Sequence, residues 1–122
     1  MFDSLRREGA ISQANTAVAQ AGTRLDQAAQ QVRDQVTEAT ARLAAAEGAL
    51  TASRARLAAA DEALRVARER RDVGTGTAVD LSLAQRERYD AAVSLARADG
   101  QRAVAVDNLR WALGLPLLEA AP

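Results

Sequence analysis

The stretch that decides the fold is RRDVGTGTAVDLSLAQ, residues 70–85. It interrupts a long helical pattern, which resumes directly afterwards. Glycine adopts a positive φ at no steric cost, so Gly74 suits the left-handed position just beyond a helix end. Thr77 has the chemistry of an N-cap, and Asp80, three residues later, completes a variant of the capping box. We therefore predict that one helix ends here, the chain reverses over residues 73–77, and a second helix begins.

A seven-residue repeat of apolar and small residues precedes this turn. Such a repeat, sustained without proline from about residue 10 to residue 72, is typical of a long helix that packs along a partner. One column of the repeat contains Val18, Leu25, Val32, Ala39, Ala46, Ser53, Ala60 and Ala67. A second column contains Ala29, Val36, Leu43, Leu50, Leu57 and Leu64. Residues 1–9 are interpreted as a lead-in, with Gly9 marking a break.

The second helix is predicted from about Ala78 to Leu113, where Gly114 and Pro116 end it. Residues 115–122 are expected to form an irregular tail. An alanine column recurs every seven residues in the second helix: Ala84, Ala91, Ala98, Ala105 and Ala112. We expect this small column to face the leucine column of the first helix, small against large.

The predicted fold is therefore all-α. It is a long antiparallel helical hairpin (coiled coil) with helices at about residues 10–72 and 78–113, and residues 1–122 form a single hairpin segment. At 1.5 Å per residue the first helix is roughly 40 Å longer than the second. Val18, Leu25 and Val32 would then lie bare in a monomer, so we expect self-association or further sequence that covers them.

Two glycines, Gly22 and Gly48, interrupt good helix formers in the first helix. Each costs about 1 kcal/mol relative to Ala in a helix interior. They are interpreted either as tolerated substitutions, which we favour, or as points where a neighbouring backbone approaches closely.

Composition excludes several classes of function. The 122 residues contain 16 basic and 16 acidic residues, and this zero net charge argues against nucleic acid as a partner. Cysteine and histidine are absent, which removes thiolate nucleophiles, imidazole bases and the usual zinc ligands. Acidic residues alternate with arginines as on solvated helix faces. We therefore expect neither an enzyme nor a cofactor, and we find no transmembrane or signal-peptide pattern.

The segment ARERRDVGTGTAVDLSLAQRERYDAA resembles the periplasmic-tip hairpin of TolC-like outer-membrane efflux proteins. The matching residues are Val73, Gly74, Thr75, Asp80, Leu81, Ala84 and Gln85. The later segment NLRWALGLP is similar to the family's closing motif, matched by Leu109, Ala112, Leu113 and Gly114. The chain departs from the family pattern at Arg71, where the tip aromatic is expected, and at Gly76, where a basic residue is often found. Ser4 and Leu5 replace usual glycines.

This resemblance implies that the chain is the C-terminal part of a larger protein that forms a homotrimeric duct. The hairpin would lie in the periplasm, beneath an outer-membrane portion absent from this chain, and small molecules would pass through passively. Val73, Gly74 and Thr75 would dock a periplasmic adaptor, which links to an inner-membrane pump. Asp80 and Arg71 would lie at the aperture, although helix capping explains Asp80 equally well.

Two other interpretations remain open at this point. Residues 9–14, GAISQA, resemble the turn at the hairpin tip of an adaptor protein, but no strand pattern follows them. The chain also has the features of a stand-alone structural coiled coil that scaffolds a partner through its leucine and alanine columns.

Overall fold

The computed structural model describes residues 1–115, which form two helices joined by a short turn. Helix α1 spans Phe2–Asp72 and helix α2 spans Ala78–Ala112. No strand occurs within residues 1–115, and the predicted all-α helical hairpin is confirmed. Apart from Leu115, the tail predicted at residues 115–122 lies outside the described residues.

The start of α1 differs from the prediction. The helix begins at Phe2 instead of near residue 10, so the predicted lead-in at residues 1–9 was wrong. A single glycine costs only about 1 kcal/mol in a helix, and Gly9 follows three good helix formers, Arg6, Arg7 and Glu8. Residues 9–14, which resemble an adaptor turn in sequence, are helical as well.

The chain divides into two compact units, Met1–Thr37 and Glu38–Pro122. The first unit is a stretch of α1 whose large apolar side chains are exposed. Val18 is 72% exposed and Leu25 is 71% exposed. The expectation that these side chains lie bare in a single chain is therefore confirmed. Several hydroxyl groups of this unit donate to carbonyl groups of the preceding helical turn, as where Thr16 Oγ1 donates to the Ser12 carbonyl at 2.9 Å.

The second unit contains the core of the hairpin, which is built from small residues and leucine. Leu50 and Leu64 are each 5% exposed on α1, and Ala91 on α2 is fully buried. The other buried residues within residues 1–115 are Ala39, Ala60, Ala98 and Ala105. Every one of them belongs to a seven-residue column recognised in the sequence. Because alanine is short, the two helix backbones can approach closely where leucine packs against it.

Ion pairs between the two helices show how α2 lies along α1. Arg88 Nε donates to Asp61 Oδ1 at 2.7 Å, and Arg102 lies 3.9 Å from Glu47. From Glu47 to Asp61 the α1 partner advances by 14 residues, whereas from Arg102 to Arg88 the α2 partner goes back by 14 residues. The two helices are therefore antiparallel. These side chains are about half exposed, so each pair contributes at most about 1 kcal/mol. They mark the register in which the leucines of α1 pack on the alanines of α2.

Candidate functional site

The candidate site is the turn between the helices, and its first half is a Schellman motif that ends α1. Gly74 has a φ of +78°. The Thr75 N–H donates to the Arg70 carbonyl at 2.8 Å, and the Gly74 N–H donates to the Arg71 carbonyl at 3.0 Å. These two bonds are the pair that defines this helix end. The left-handed residue predicted at Gly74 is therefore present.

The carbonyl oxygen of Arg70 accepts three hydrogen bonds from residues of the turn. Besides the bond from Thr75 N–H, it accepts one from the Gly76 N–H at 2.9 Å and one from Thr75 Oγ1 at 3.1 Å. Three donors on one carbonyl tie the turn tightly to the last turn of α1. Because the Thr75 hydroxyl donates one of these hydrogen bonds, a side chain stabilises the turn in addition to the backbone.

Gly76 is required for a different reason from Gly74. A Cβ atom placed on Gly76 would lie 3.0 Å from Arg70 Cβ and 3.0 Å from the Arg71 backbone nitrogen. Such a contact is tighter than nine in ten Cβ contacts in proteins, so a neighbouring atom would have to give way by a few tenths of an ångström. A Cβ on Gly74 would meet nothing within 4 Å, so only its positive φ demands glycine there. With this backbone, a side chain at position 76 would therefore crowd the end of α1.

The second half of the turn is the N-terminal cap of α2. Thr77 has an extended backbone, with φ −92° and ψ 159°, and its Oγ1 accepts from the Asp80 N–H at 3.1 Å. In return, Asp80 Oδ2 accepts from the Thr77 N–H at 3.0 Å and from the Thr77 hydroxyl at 2.7 Å. This is a complete capping box. The turn is thus closed by specific bonds on both sides.

The cap also sets the charge of Asp80. Hydrogen bonds from the Thr77 hydroxyl and then from the Thr77 N–H lower the pKa of Asp80, and the positive charge of Arg70 adds to this effect. The carboxylate is therefore ionised at neutral pH, and the lowered pKa keeps it ionised further into the acid range than an ordinary aspartate. The side chain is exposed, so the site presents a fixed negative charge to solvent at the start of α2.

The structure separates the five predicted site residues into two groups. Asp80 and Thr75 line a groove of about 500 Å³ beside the turn. Val73 and Arg71 do not line it and are exposed on the outside of the turn. Val73 is 73% exposed. Gly74, with open space around its Cα, lies on the outside as well.

Sequence reasoning missed most of the groove's lining. Its other lining residues are Ala59, Glu62, Ala63, Val66, Ala67, Arg70 and Gly76. Arg65 binds Glu62 and holds the pKa of that carboxyl below its usual value. A second groove of about 510 Å³ shares Ala63, Ala67 and Asp80 with the first. The sequence had placed Ala67 in a heptad column and Gly76 in the turn, but it gave no signal that these residues and the others meet around one groove, because they are brought together by the packing of the hairpin.

Within residues 1–115, no group of three acidic side chains lies close enough together to hold a metal ion. Neither of the two helices described has a stretch that is both long and apolar enough to span a membrane.

Comparison with known families supplies the identity. The family model described as outer membrane efflux protein matches residues 1–115. The chain belongs to the outer membrane efflux protein family. The resemblance noted in the sequence is therefore confirmed. No curated protein and no solved structure gives a significant match to the chain.

Membership of the outer membrane efflux protein family gives the turn its context. The family's description is that of a transport protein of the outer membrane and not of an enzyme. The match runs across both helices and the turn, so the Schellman motif and the capping box belong to the family segment. In this outer membrane efflux protein, the rigid, exposed end of the hairpin is the candidate site.

Proposed function

We propose that this chain forms part of the periplasmic α-barrel of a trimeric outer-membrane efflux duct. The turn at residues 73–77 docks a periplasmic adaptor, which connects the duct to an inner-membrane pump. Small molecules pass through the duct passively, and the pump supplies the energy. Family membership supports the efflux role. The location of the docking surface rests on the geometry of the turn.

The observation that carries the proposal is a turn that is both exposed and rigid. Val73 projects into solvent, and the space around Gly74 is open. At the same time, the Arg70 carbonyl and the capping box hold the backbone at both ends of the turn. A surface that is already ordered loses little conformational entropy when a partner binds. Val73, Gly74 and Thr75 are therefore well suited to dock an adaptor.

Asp80 and Arg71 are proposed to act at the aperture. The exposed Asp80 carboxylate is charged at neutral pH, and its lowered pKa extends that range into acid, so three copies would place three negative charges near the hairpin ends. Among the residues that the structure describes, no acidic side chain forms an ion pair with Arg71. Its guanidinium is thus free to bind a carboxylate of a neighbouring copy or of the adaptor.

The docking role is tested by Gly74→Val in the duct as assembled in cells with its adaptor and pump. Gly114→Val is the matched control, because Gly114 has a similar φ of +69° and equally open surroundings at the far end of α2. Both changes strain a Schellman glycine to a similar extent. We expect assembly, measured by chemical cross-linking, to survive in both variants.

Efflux, measured as pump-dependent export of a fluorescent dye, should fall only in Gly74→Val. Equal efflux in the two assembled variants would show that the turn does not dock the adaptor. A loss of assembly confined to Gly74→Val would assign the turn a structural role instead.

A further inference from the structure

A groove of about 600 Å³ lies between the two helices on one side of the hairpin, and it is here called the arginine groove. Its lining residues are Asp61, Leu64, Arg65, Arg68, Gln85, Arg88 and Tyr89. Leu64 is buried, whereas the other lining residues are exposed. The groove extends from residue 61 to residue 68 of α1, which is roughly 10 Å or two helical turns. A groove between two helices is a recurrent binding site for a third helix.

The two sides of the hairpin differ in charge. Leu64 faces α2, and its neighbours Ala63 and Arg65 point about 100° to either side of it around the helix axis. The second groove described above, which Ala63 lines, therefore lies on the opposite side of the hairpin from the arginine groove. Three acids and one arginine are the charged residues of that second groove: Asp80, Glu87, Asp90 and Arg86. The arginine groove has the reverse balance, with three arginines and one aspartate, so an anionic partner is attracted to one side only.

One of the three arginines in the arginine groove has no partner. Arg88 donates to Asp61 at 2.7 Å, and Arg65 is paired with two glutamates of its own helix. Arg68 forms no ion pair and no hydrogen bond with another side chain in the described part of the chain, residues 1–115. Asp72, four residues further along α1, does not pair with it either. The guanidinium of Arg68 therefore offers all its N–H donors to a partner outside the chain.

The surroundings of Arg68 favour an added carboxylate. Arg65 and Arg71 lie three residues to either side of it on α1, and like charges at this spacing on a helix repel each other. The carboxylates that pair with Arg65 and Arg88 leave the positive charge of Arg68 uncompensated. A carboxylate bound at Arg68 would neutralise this charge without breaking an existing ion pair.

Two further polar groups of the arginine groove are also unpaired. Gln85 and Tyr89 are four residues apart, so they lie on the same face of α2. Among the described residues, none forms a hydrogen bond with the Gln85 amide or the Tyr89 hydroxyl. On each helix, Arg68 or Gln85 is the lining residue nearest the turn, so these two donors lie at the same end of the groove. An ionised carboxylate has two oxygens that can accept from both.

We propose that the arginine groove binds an acidic helix of a partner protein. An aspartate or glutamate of that helix accepts hydrogen bonds from Arg68 and Gln85, and an apolar residue of the same helix contacts the ring of Tyr89, which is 68% exposed. This site lies on the side of the hairpin, on residues separate from the turn at 73–77. It goes beyond the proposed function and does not depend on adaptor docking at the turn.

The first test uses a fluorescent, alanine-based helical peptide that carries glutamates three and four residues apart along one face. A control peptide has glutamine in place of every glutamate. Fluorescence anisotropy with the full chain at low salt should show that the glutamate peptide binds about fivefold more tightly or better. This difference should shrink as salt is added. Equal binding of the two peptides, or no binding of either, would overturn the proposal.

The second test uses two matched variants, Arg68→Gln and Arg86→Gln. Each removes one exposed, unpaired arginine, and the two residues line grooves on opposite sides of the hairpin. Both keep a good helix former, so circular dichroism should show unchanged helix content. Arg68→Gln should raise the Kd of the glutamate peptide by about two- to fivefold, and Arg86→Gln should leave it nearly unchanged. An equal rise in both variants would indicate attraction by net charge alone and would refute the site, as would an unchanged Kd in Arg68→Gln.

The position of the bound peptide is checked by NMR of the arginine side chains. The Nε–Hε resonance that is missing from Arg68→Gln should shift in the wild-type chain when the glutamate peptide is added. The resonance that is missing from Arg86→Gln should not shift. Shifts confined to other arginines would place the peptide elsewhere and contradict the arginine groove.

Discussion

The two glycines of the turn should respond differently to alanine, and Gly76 should be the more sensitive. Its added Cβ would lie 3.0 Å from both Arg70 Cβ and the Arg71 nitrogen, which belong to a helix end that cannot move freely. Relief requires Gly76 to shift outward and stretch its 2.9 Å bond to the Arg70 carbonyl. Overpacking of this kind costs about 1–3 kcal/mol, and losing the hydrogen bond costs about 1 kcal/mol.

Gly74→Ala creates no close contact but retains the strain of a positive φ. A residue with a Cβ costs about 1–2 kcal/mol in the left-handed region. Alanine also reduces the conformational freedom of the unfolded chain, which raises the free energy of unfolding by about 0.4–1 kcal/mol. The net loss of stability should therefore be near 1 kcal/mol. Gly48→Ala is the control, since Gly48 lies in a helix interior with open space around its Cα. That change should stabilise the chain by about 1 kcal/mol.

The assay is thermal unfolding followed by circular dichroism, with all variants at one protein concentration because association shifts the midpoint. For a domain near this size, 1 kcal/mol corresponds to a change in Tm of about 4 °C. The expected order of Tm is Gly48→Ala, wild type, Gly74→Ala and Gly76→Ala, from highest to lowest. A Gly76→Ala variant as stable as wild type would refute the close contact at Arg70. A stabilising Gly74→Ala would refute the positive φ.

Two further predictions concern charged groups of the hairpin. Asp61→Arg should lower the free energy of unfolding by about 0.2–1 kcal/mol. The double variant with Arg88→Asp should recover most of this lost stability in low salt and less of it in high salt. Equal stability of the single and double variants would contradict the pairing. The Asp80 pKa is lower in the folded chain, so its capping contribution is present above the unfolded pKa and is lost as pH falls through the folded value. Wild type should therefore melt above Asp80→Asn at neutral pH and approach it in acid, and a pH-independent gap would exclude this linkage.

Local signals account for the parts of the fold that were predicted correctly. Gly74, Thr77 and Asp80 act on backbone groups within a few residues of themselves, so the turn chemistry could be read from their spacing alone. The heptad columns likewise depend only on helical periodicity. The error at residues 1–9 arose because Gly9 was treated as a break, although one glycine costs a helix too little to end it.

The sequence by itself determined that two helices meet at a glycine turn and which columns of those helices face inward, because φ preference, capping and periodicity are short-range properties. Only the tertiary structure decided that Asp61 pairs with Arg88 and that Gly76 lies against Arg70. Arginines are numerous and chemically alike along both helices, so a linear pattern cannot assign their partners. These pairs form because the packing of leucine on alanine in one register brings together residues that are distant in the sequence.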